Sequence, residues 1–245
     1  MAKNGYVADV WRCCGLCRKM WRWIAPELSE EDTARVRRDH PFWQAIINLP
    51  HGLEFGEMRL ILAAKLGKLA HEESLIAWHA LVDMGDDYGQ MALMLASGKG
   101  HLEVARAVLA AGAGVDLTDA NGSTALIYAS INNKVEAVHV LLAAGASMNV
   151  PDTEHGDTAL IHASSNGNIE VVRVLLVAGA GIDTVAKDGY TALILASEVG
   201  HVEVVRVLLA AGANKHIINN NDETAYTAAQ EEASEAIRAL LDLAP

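Results

Sequence analysis

The stretch DGYTALILASEVGHVEVVRVLLAAGA, from Asp188 to Ala213, recurs upstream with small changes. One copy is NGSTALIYASINNKVEAVHVLLAAGA, from Asn121 to Ala146, and another is HGDTALIHASSNGNIEVVRVLLVAGA, from His155 to Ala180. A looser copy, YGQMALMLASGKGHLEVARAVLAAGA, runs from Tyr88 to Ala113. Gly89, Gly122, Gly156 and Gly189 occupy equivalent points, spaced by 33, 34 and 33 residues. A fixed period in this range is the signature of a solenoid of stacked units.

Each copy predicts two short helices. Thr191 opens the first, Ala192 to Ser197, whose small and apolar residues allow close packing, and Gly200 breaks it. The second begins near Val202, and Val204, Val205, Leu208 and Leu209 form one apolar stripe along it. Glu203 and Arg206, three apart, can pair on the exposed side, and the same pair recurs as Glu103/Arg106 and Glu170/Arg173. Gly212 ends the helix where a left-handed residue is needed. One such helix pair is too small to bury its own apolar face, whereas stacked neighbours bury it together.

These residues resemble the ankyrin repeat, whose pattern is roughly D-x-x-G-x-T-P-L-H-x-A followed by G-H-x-E-V-V-x-L-L-L-x-x-G-A. Gly189, Thr191, Leu193, Ala196, Gly200, His201, Glu203, Val204, Val205, Leu208, Leu209, Gly212 and Ala213 match it. The family's Pro and His are replaced here by Ala125/Ile127, Ala159/Ile161 and Ala192/Ile194. The resemblance covers about Asp86 to Pro245. It implies an all-α fold, an ankyrin-repeat solenoid of stacked helix pairs with short β-hairpin-like turns, preceded by a helical N-terminal extension. The expected organisation is a basic head over residues 1–26 and a helical adaptor over 27–56. A degenerate N-terminal capping repeat (57–86), four repeats (87–220) and a C-terminal capping repeat (221–245) follow.

The formal charge of -12 argues against a nucleic-acid backbone as partner of the main surface. The charge is uneven. Residues 1–23 hold Lys3, Arg12, Arg18, Lys19 and Arg22 against Asp9, so the acidic excess lies in the rest of the chain. Cys13, Cys14 and Cys17 are the three cysteines, all in the head, so no disulfide framework supports the array. A reducing compartment is the simplest expectation, and no apolar run reaches the ~18 residues of a membrane span.

In the head, Val7, Val10, Cys14, Cys17, Trp21 and Ile24 fall on one face of a helix, with Arg12, Lys19 and Arg22 largely opposite. Trp11, Cys13, Cys14, Cys17, Trp21 and Trp23 are the candidate anchor residues. A membrane interface suits a basic helix with Trp on its apolar side, and the cysteines could be palmitoylated. The alternative is a helix packing on the rest of the protein or on a partner subunit. Three cysteines with a distant His40 match a zinc site poorly, and no metal or cofactor is expected.

Ser29-Glu30-Glu31-Asp32 is a helix-start signature, and Asp39 caps a short helix from Pro41. Met58–Leu66 and Glu72–Val82 repeat the two-helix pattern without its signature residues. The last helix, Ser234 to Leu243, carries Glu235, Arg238 and Asp242 as a polar cap.

No nucleophile elbow, phosphate loop or His-Glu-x-x-His occurs, so no enzyme activity is expected. His101 and His201 hold the family's Gly-His position, which implies a local hydrogen bond opening the second helix. In ankyrin arrays the turn tips and first helices line a concave groove that binds proteins. Carried over by position, the binding candidates are Tyr88, Gln90, Asn121, Ser123, Ile131, Asn132, His155, Asp157, Asn166, Lys187, Asp188, Tyr190 and Glu198. The extra residue between Val150 and Gly156 should bulge one tip out of line. The resemblance implies a non-enzymatic adaptor binding one or more proteins, anchored by its head; the alternative is a structural subunit of a large complex. The expected location is cytoplasmic, or else an organelle or membrane-associated complex.

Overall fold

The computed structural model describes residues 82–86, 88–229 and 234–244, together with Ala64, all within one unit spanning residues 52–245. The expectations for the head, the adaptor and nearly all of the degenerate repeat fall outside the described residues.

The described elements are ten helices: α1 (Ala92–Lys99), α2 (Leu102–Ala110), α3 (Ala125–Ile131), α4 (Val135–Ala143), α5 (Ala159–Ser165), α6 (Ile169–Ala178), α7 (Ala192–Val199), α8 (Val202–Ala210), α9 (Ala225–Ala228) and α10 (Ser234–Leu243). Among the described residues the pairing of Gly85 with Met91 is the one isolated bridge outside strands, and no strand forms. The all-α solenoid expected from the period is therefore the observed fold.

Local sequence explains where the helices begin. Thr124, Thr158 and Thr191 precede α3, α5 and α7, and each hydroxyl accepts the amide of the residue three on. Such a cap satisfies one of the amide donors that an α-helix leaves over, and its loss typically costs about 1 kcal/mol. Met91 stands at this place before α1 and makes no side-chain cap. On the exposed side Arg173 lies 3.7 Å from Glu170 and Arg206 lies 3.4 Å from Glu203, as the spacing predicts. No such pair forms between Glu103 and Arg106.

The odd-numbered helices pack in one layer and the even-numbered helices in a second. Leu126, Ile127, Leu160, Ile161, Leu193 and Ile194 of the first layer are fully buried, as are Leu141, Leu175 and Leu208 of the second. Ala96, Ala129, Ala163 and Ala196 are inaccessible to solvent, and their small side chains let neighbouring helices come close. The last described helix, α10, buries Ile237 and Leu241 and leaves Glu235 and Asp242 exposed. Arg238 donates to the carbonyls of Ala229 (2.8 Å) and Tyr226 (3.3 Å) and sits 5.4 Å from the centre of the Tyr226 ring.

Two ladders of hydrogen bonds join the repeats. At the tips, the amides of Ala120, Thr153, Lys187 and Asn220 donate to the carbonyls of Tyr88, Asn121, His155 and Asp188, at 3.1, 2.8, 2.8 and 3.0 Å. Beyond the second helices, Asp83, Asp116, Asn149 and Asp183 accept the amides of Gly114, Ser147, Gly181 and Asn214 at 2.8–2.9 Å. The tip ladder explains the periodic glycines. Gly122 has φ +76, and a Cβ there would stand 2.6 Å from the Thr153 amide nitrogen. In the last turn Asp222 takes this place at φ 61, where no described turn follows it.

Two predictions follow from this packing. Gly212 also has a positive φ, 89, but a Cβ there meets nothing within 4 Å. Gly212→Ala is expected to cost about 1–2 kcal/mol of backbone strain, and Gly122→Ala at least ~1 kcal/mol more because of its contact. Equal shifts in denaturant melts would remove the steric account of the tip glycines. Leu160→Ala should cost ~2–5 kcal/mol, and Leu240→Ala less, because Leu240 is only half-buried in the terminal helix. The same melts check that order.

Candidate protein-binding surface

Four of the five tips are built on one side chain that recurs with the period. Asp86 Oδ1 accepts the amides of Tyr88 (3.1 Å) and Gln90 (3.0 Å). Asp119 Oδ1 accepts those of Asn121 (2.9 Å) and Ser123 (2.8 Å). Asn219 Oδ1 does the same for Asn221 and Glu223, both at 2.9 Å. In the fourth turn Ala186 takes this place, and of these bonds the turn keeps only the backbone one that all five share, Ala186 N to Tyr190 O at 2.8 Å. An acceptor held inside the turn leaves the side chains of the following residues on the outside.

The extra residue changes one turn without moving it off the ladder. Asp152 Oδ1 accepts three amides, those of His155 (2.8 Å), Gly156 (2.8 Å) and Asp157 (3.3 Å). The ladder acceptor becomes His155, one residue later than in the other turns, so the tip stays in line. This corrects the expected displacement: the insertion is absorbed inside its own turn. Lys187 Nζ, reaching from the next turn, donates to the Thr153 and Glu154 carbonyls there.

The first helices return to these carboxylates. Tyr128 donates its hydroxyl to Asp119 Oδ2 at 2.8 Å and accepts from Gln90 Nε2 at 2.8 Å. Burial, with Asp119 as a further cause, pushes the Tyr128 phenol well above its ordinary range, so it stays a donor. His162 takes the equivalent place in α5, with Nε2 2.9 Å from Asp152 Oδ2. Burial alone would raise Asp152, but the bonds from the His155 amide, His162 and the Gly156 and Asp157 amides hold it below the ordinary carboxylate range.

The histidine at the start of the second helix works differently from the local bond expected of it. His201 makes no side-chain cap; its Nε2 lies 3.0 Å from the Ser165 carbonyl in the preceding repeat. Asn168, at the same place before α6, donates to the Ser130 and Ile131 carbonyls at 2.8 and 3.1 Å. The last carbonyls of a helix lack intrahelical partners, and the next repeat supplies them.

The thirteen candidate residues all lie on tips or first-helix ends, but they differ in what their side chains do. Gln90 is committed to Tyr128, Asn132 and Asn166 donate to the carbonyls of Tyr128 and His162 in their own helices, and Lys187 is held by the third turn. Tyr190 accepts from Asn221 Nδ2 at 3.3 Å. Tyr88, 67% exposed, Asn121, His155 and Asp188 are exposed without a side-chain hydrogen bond to a described residue, and exposed Ile131 presents an apolar surface. Ser123 and Asp157 are half-buried within their turns. Glu198 is half-buried at the end of α7; burial and the neighbouring Glu223 raise its carboxyl above the ordinary range. Burial and then these two carboxylates raise the Tyr190 phenol. The anchor residues of the head fall outside the described residues.

The sequence reading passed over Asp119, Asp152, Asn219 and Tyr128, although the family's leading Asp already marked that turn position. The model of the family described as ankyrin repeats matches in three overlapping copies, residues 60–152, 93–188 and 160–244. The chain belongs to the ankyrin-repeat family. Ankyrin repeats generally mediate protein–protein interaction, and proteins built from them are typically non-enzymatic interaction modules. No curated protein matches the chain, and no helix among the described residues is long and apolar enough to cross a membrane.

The odd turn out offers a test of the tip geometry. Ala186→Asn should supply the missing acceptor, as Asn219 does in the last turn, and stabilise the protein by about 0.5–1.5 kcal/mol. Asp119→Ala should destabilise by ~1–3 kcal/mol. Thermal melts in which Ala186→Asn lowers stability would refute the role given to this position.

Proposed function

We propose that the chain is a non-enzymatic adaptor that binds partner proteins across the face formed by its tips and first-helix ends. The observation that carries this reading is the continuity of the tip ladder. It fixes five successive turns in register while leaving Tyr88, Asn121, His155 and Asp188 exposed with no side-chain hydrogen bond to a described residue. Aromatic side chains held on a rigid scaffold concentrate binding energy, which singles out Tyr88 and Tyr190 as anchors. The mutually repelling Glu198 and Glu223 beside Tyr190 favour a partner presenting basic side chains over an acidic one.

The head, with its Trp and Cys residues, serves in this reading as a separate anchor to a larger assembly or to a membrane surface. The array acts in the cytoplasm, in keeping with the confinement of cysteine to the head. The second reading, a structural subunit of a large complex, draws on the other side of the array. Val177 in α6 is 90% exposed and Leu243 in α10 is 84% exposed, and a subunit enclosed by other chains would cover such side chains.

Affinity capture with cross-linking mass spectrometry separates the two. For an adaptor, Tyr88→Ala combined with Asp188→Ala should weaken partner capture at least tenfold while Val177→Asp leaves it unchanged. The reverse pattern identifies the structural subunit and removes the adaptor reading. Deleting residues 1–26 should abolish cellular localisation but keep the partners cross-linked to the tips.

A further inference from the structure

The third repeat brings together three groups that the fold does not require there. Asp152, Asp157 and His162 each offer one ligand atom, and these atoms all lie within 4.8 Å of one another. Neighbouring repeats show that the cluster is not imposed by the architecture. The places of Asp152, Asp157 and His162 are held by Asp119, Ser123 and Tyr128 one repeat earlier and by Ala186, Tyr190 and Leu195 one repeat later.

The contact between His162 and Asp152 accounts for only two of the three groups. Asp157 is half-buried, yet its carboxylate accepts no hydrogen bond and forms no ion pair with a described residue. A partly desolvated anion beside a second anion is stabilised by a cation placed between them. Its carboxyl is raised by burial; His162 and His155 lower it, while Asp152 and Asp188 raise it further.

We propose that Asp152, Asp157 and His162 bind one divalent metal ion of the Mn2+ to Zn2+ class. Two carboxylate oxygens and one imidazole nitrogen suit such ions, whereas softer ions prefer thiolate. Asp152 is prepared for the task. Its Oδ1 is fixed by three backbone amides, which leaves Oδ2 to the ion. Two ligands at a right angle, each about 2.1 Å from one ion, lie about 3 Å apart. His162 Nε2 and Asp152 Oδ2 are already at 2.9 Å. The ion takes the place of the hydrogen between them; a neutral imidazole moves its proton to Nδ1, and an imidazolium releases one to solvent. Three protein ligands leave further coordination positions to water or to a side chain of a bound partner. The site does not depend on the adaptor reading.

The test uses the full chain, stripped with a chelator and titrated with Mn2+, with free Mn2+ followed by electron paramagnetic resonance. Mn2+ is chosen because the head's thiols compete poorly for it. The variants are Asp157→Asn and His162→Leu, the latter placing in α5 the residue that α7 carries as Leu195. The wild type should bind one Mn2+ per chain at least tenfold more tightly than either variant. Nuclear magnetic resonance should show paramagnetic broadening centred on residues 152–162. Circular dichroism checks that each variant keeps its helices. If one does not, the other variant and the wild-type broadening still decide. No bound Mn2+ at millimolar concentration, unchanged binding in a folded variant, or broadening centred elsewhere would overturn the proposal.

Discussion

Leu160 and Ile161 are enclosed only because α3 and α7 lie on either side of α5. A helix of seven residues cannot bury its apolar side chains by itself, and every other feature of the array serves that mutual covering. The buried alanines let neighbouring helices come close. The two hydrogen-bond ladders, one at the tips and one beyond the second helices, tie each repeat to the last. His201 and Asn168 do related work between them, occupying carbonyls that the end of one helix would otherwise leave unpaired.

This arrangement separates what must stay constant from what can vary. Inside each turn the requirement is a residue able to hold positive φ, joined in four of the five turns by a side-chain acceptor. Outside it the ladder uses only backbone atoms, so the side chains of its acceptor residues are left free of the ladder. The five turns accordingly carry tyrosine, asparagine, histidine, aspartate and asparagine at the ladder's second position. A surface rigid in its backbone and variable in its side chains is well suited to recognition, because little ordering entropy is lost when a partner docks.

The insertion in the third turn shows how this tolerance operates. Asp152 accepts a third amide and Lys187 reaches across to the extra carbonyls, so the added residue is held without disturbing either neighbour. The spacing of 34 disclosed the insertion, yet its consequence depended on a side chain from the next repeat. The contact of His162 with Asp152 was hidden for a similar reason, since ten residues and a turn separate them.

Period, glycine positions, threonine caps and apolar stripes are local properties, each governed by backbone dihedrals or by side chains within one or two helical turns. They sufficed to establish the helix pairs, their boundaries to within a residue or two, and the stacked architecture. Side-chain pairing across repeats was decided only in the tertiary structure. Tyr88 and Asp188 remain exposed, whereas Gln90 is spent on Tyr128 and Lys187 on the Glu154 loop, although all four occupy tip positions in the repeat. Their fates differ because hydrogen-bond partners 33 to 38 residues away come within reach only when one repeat lies on the next.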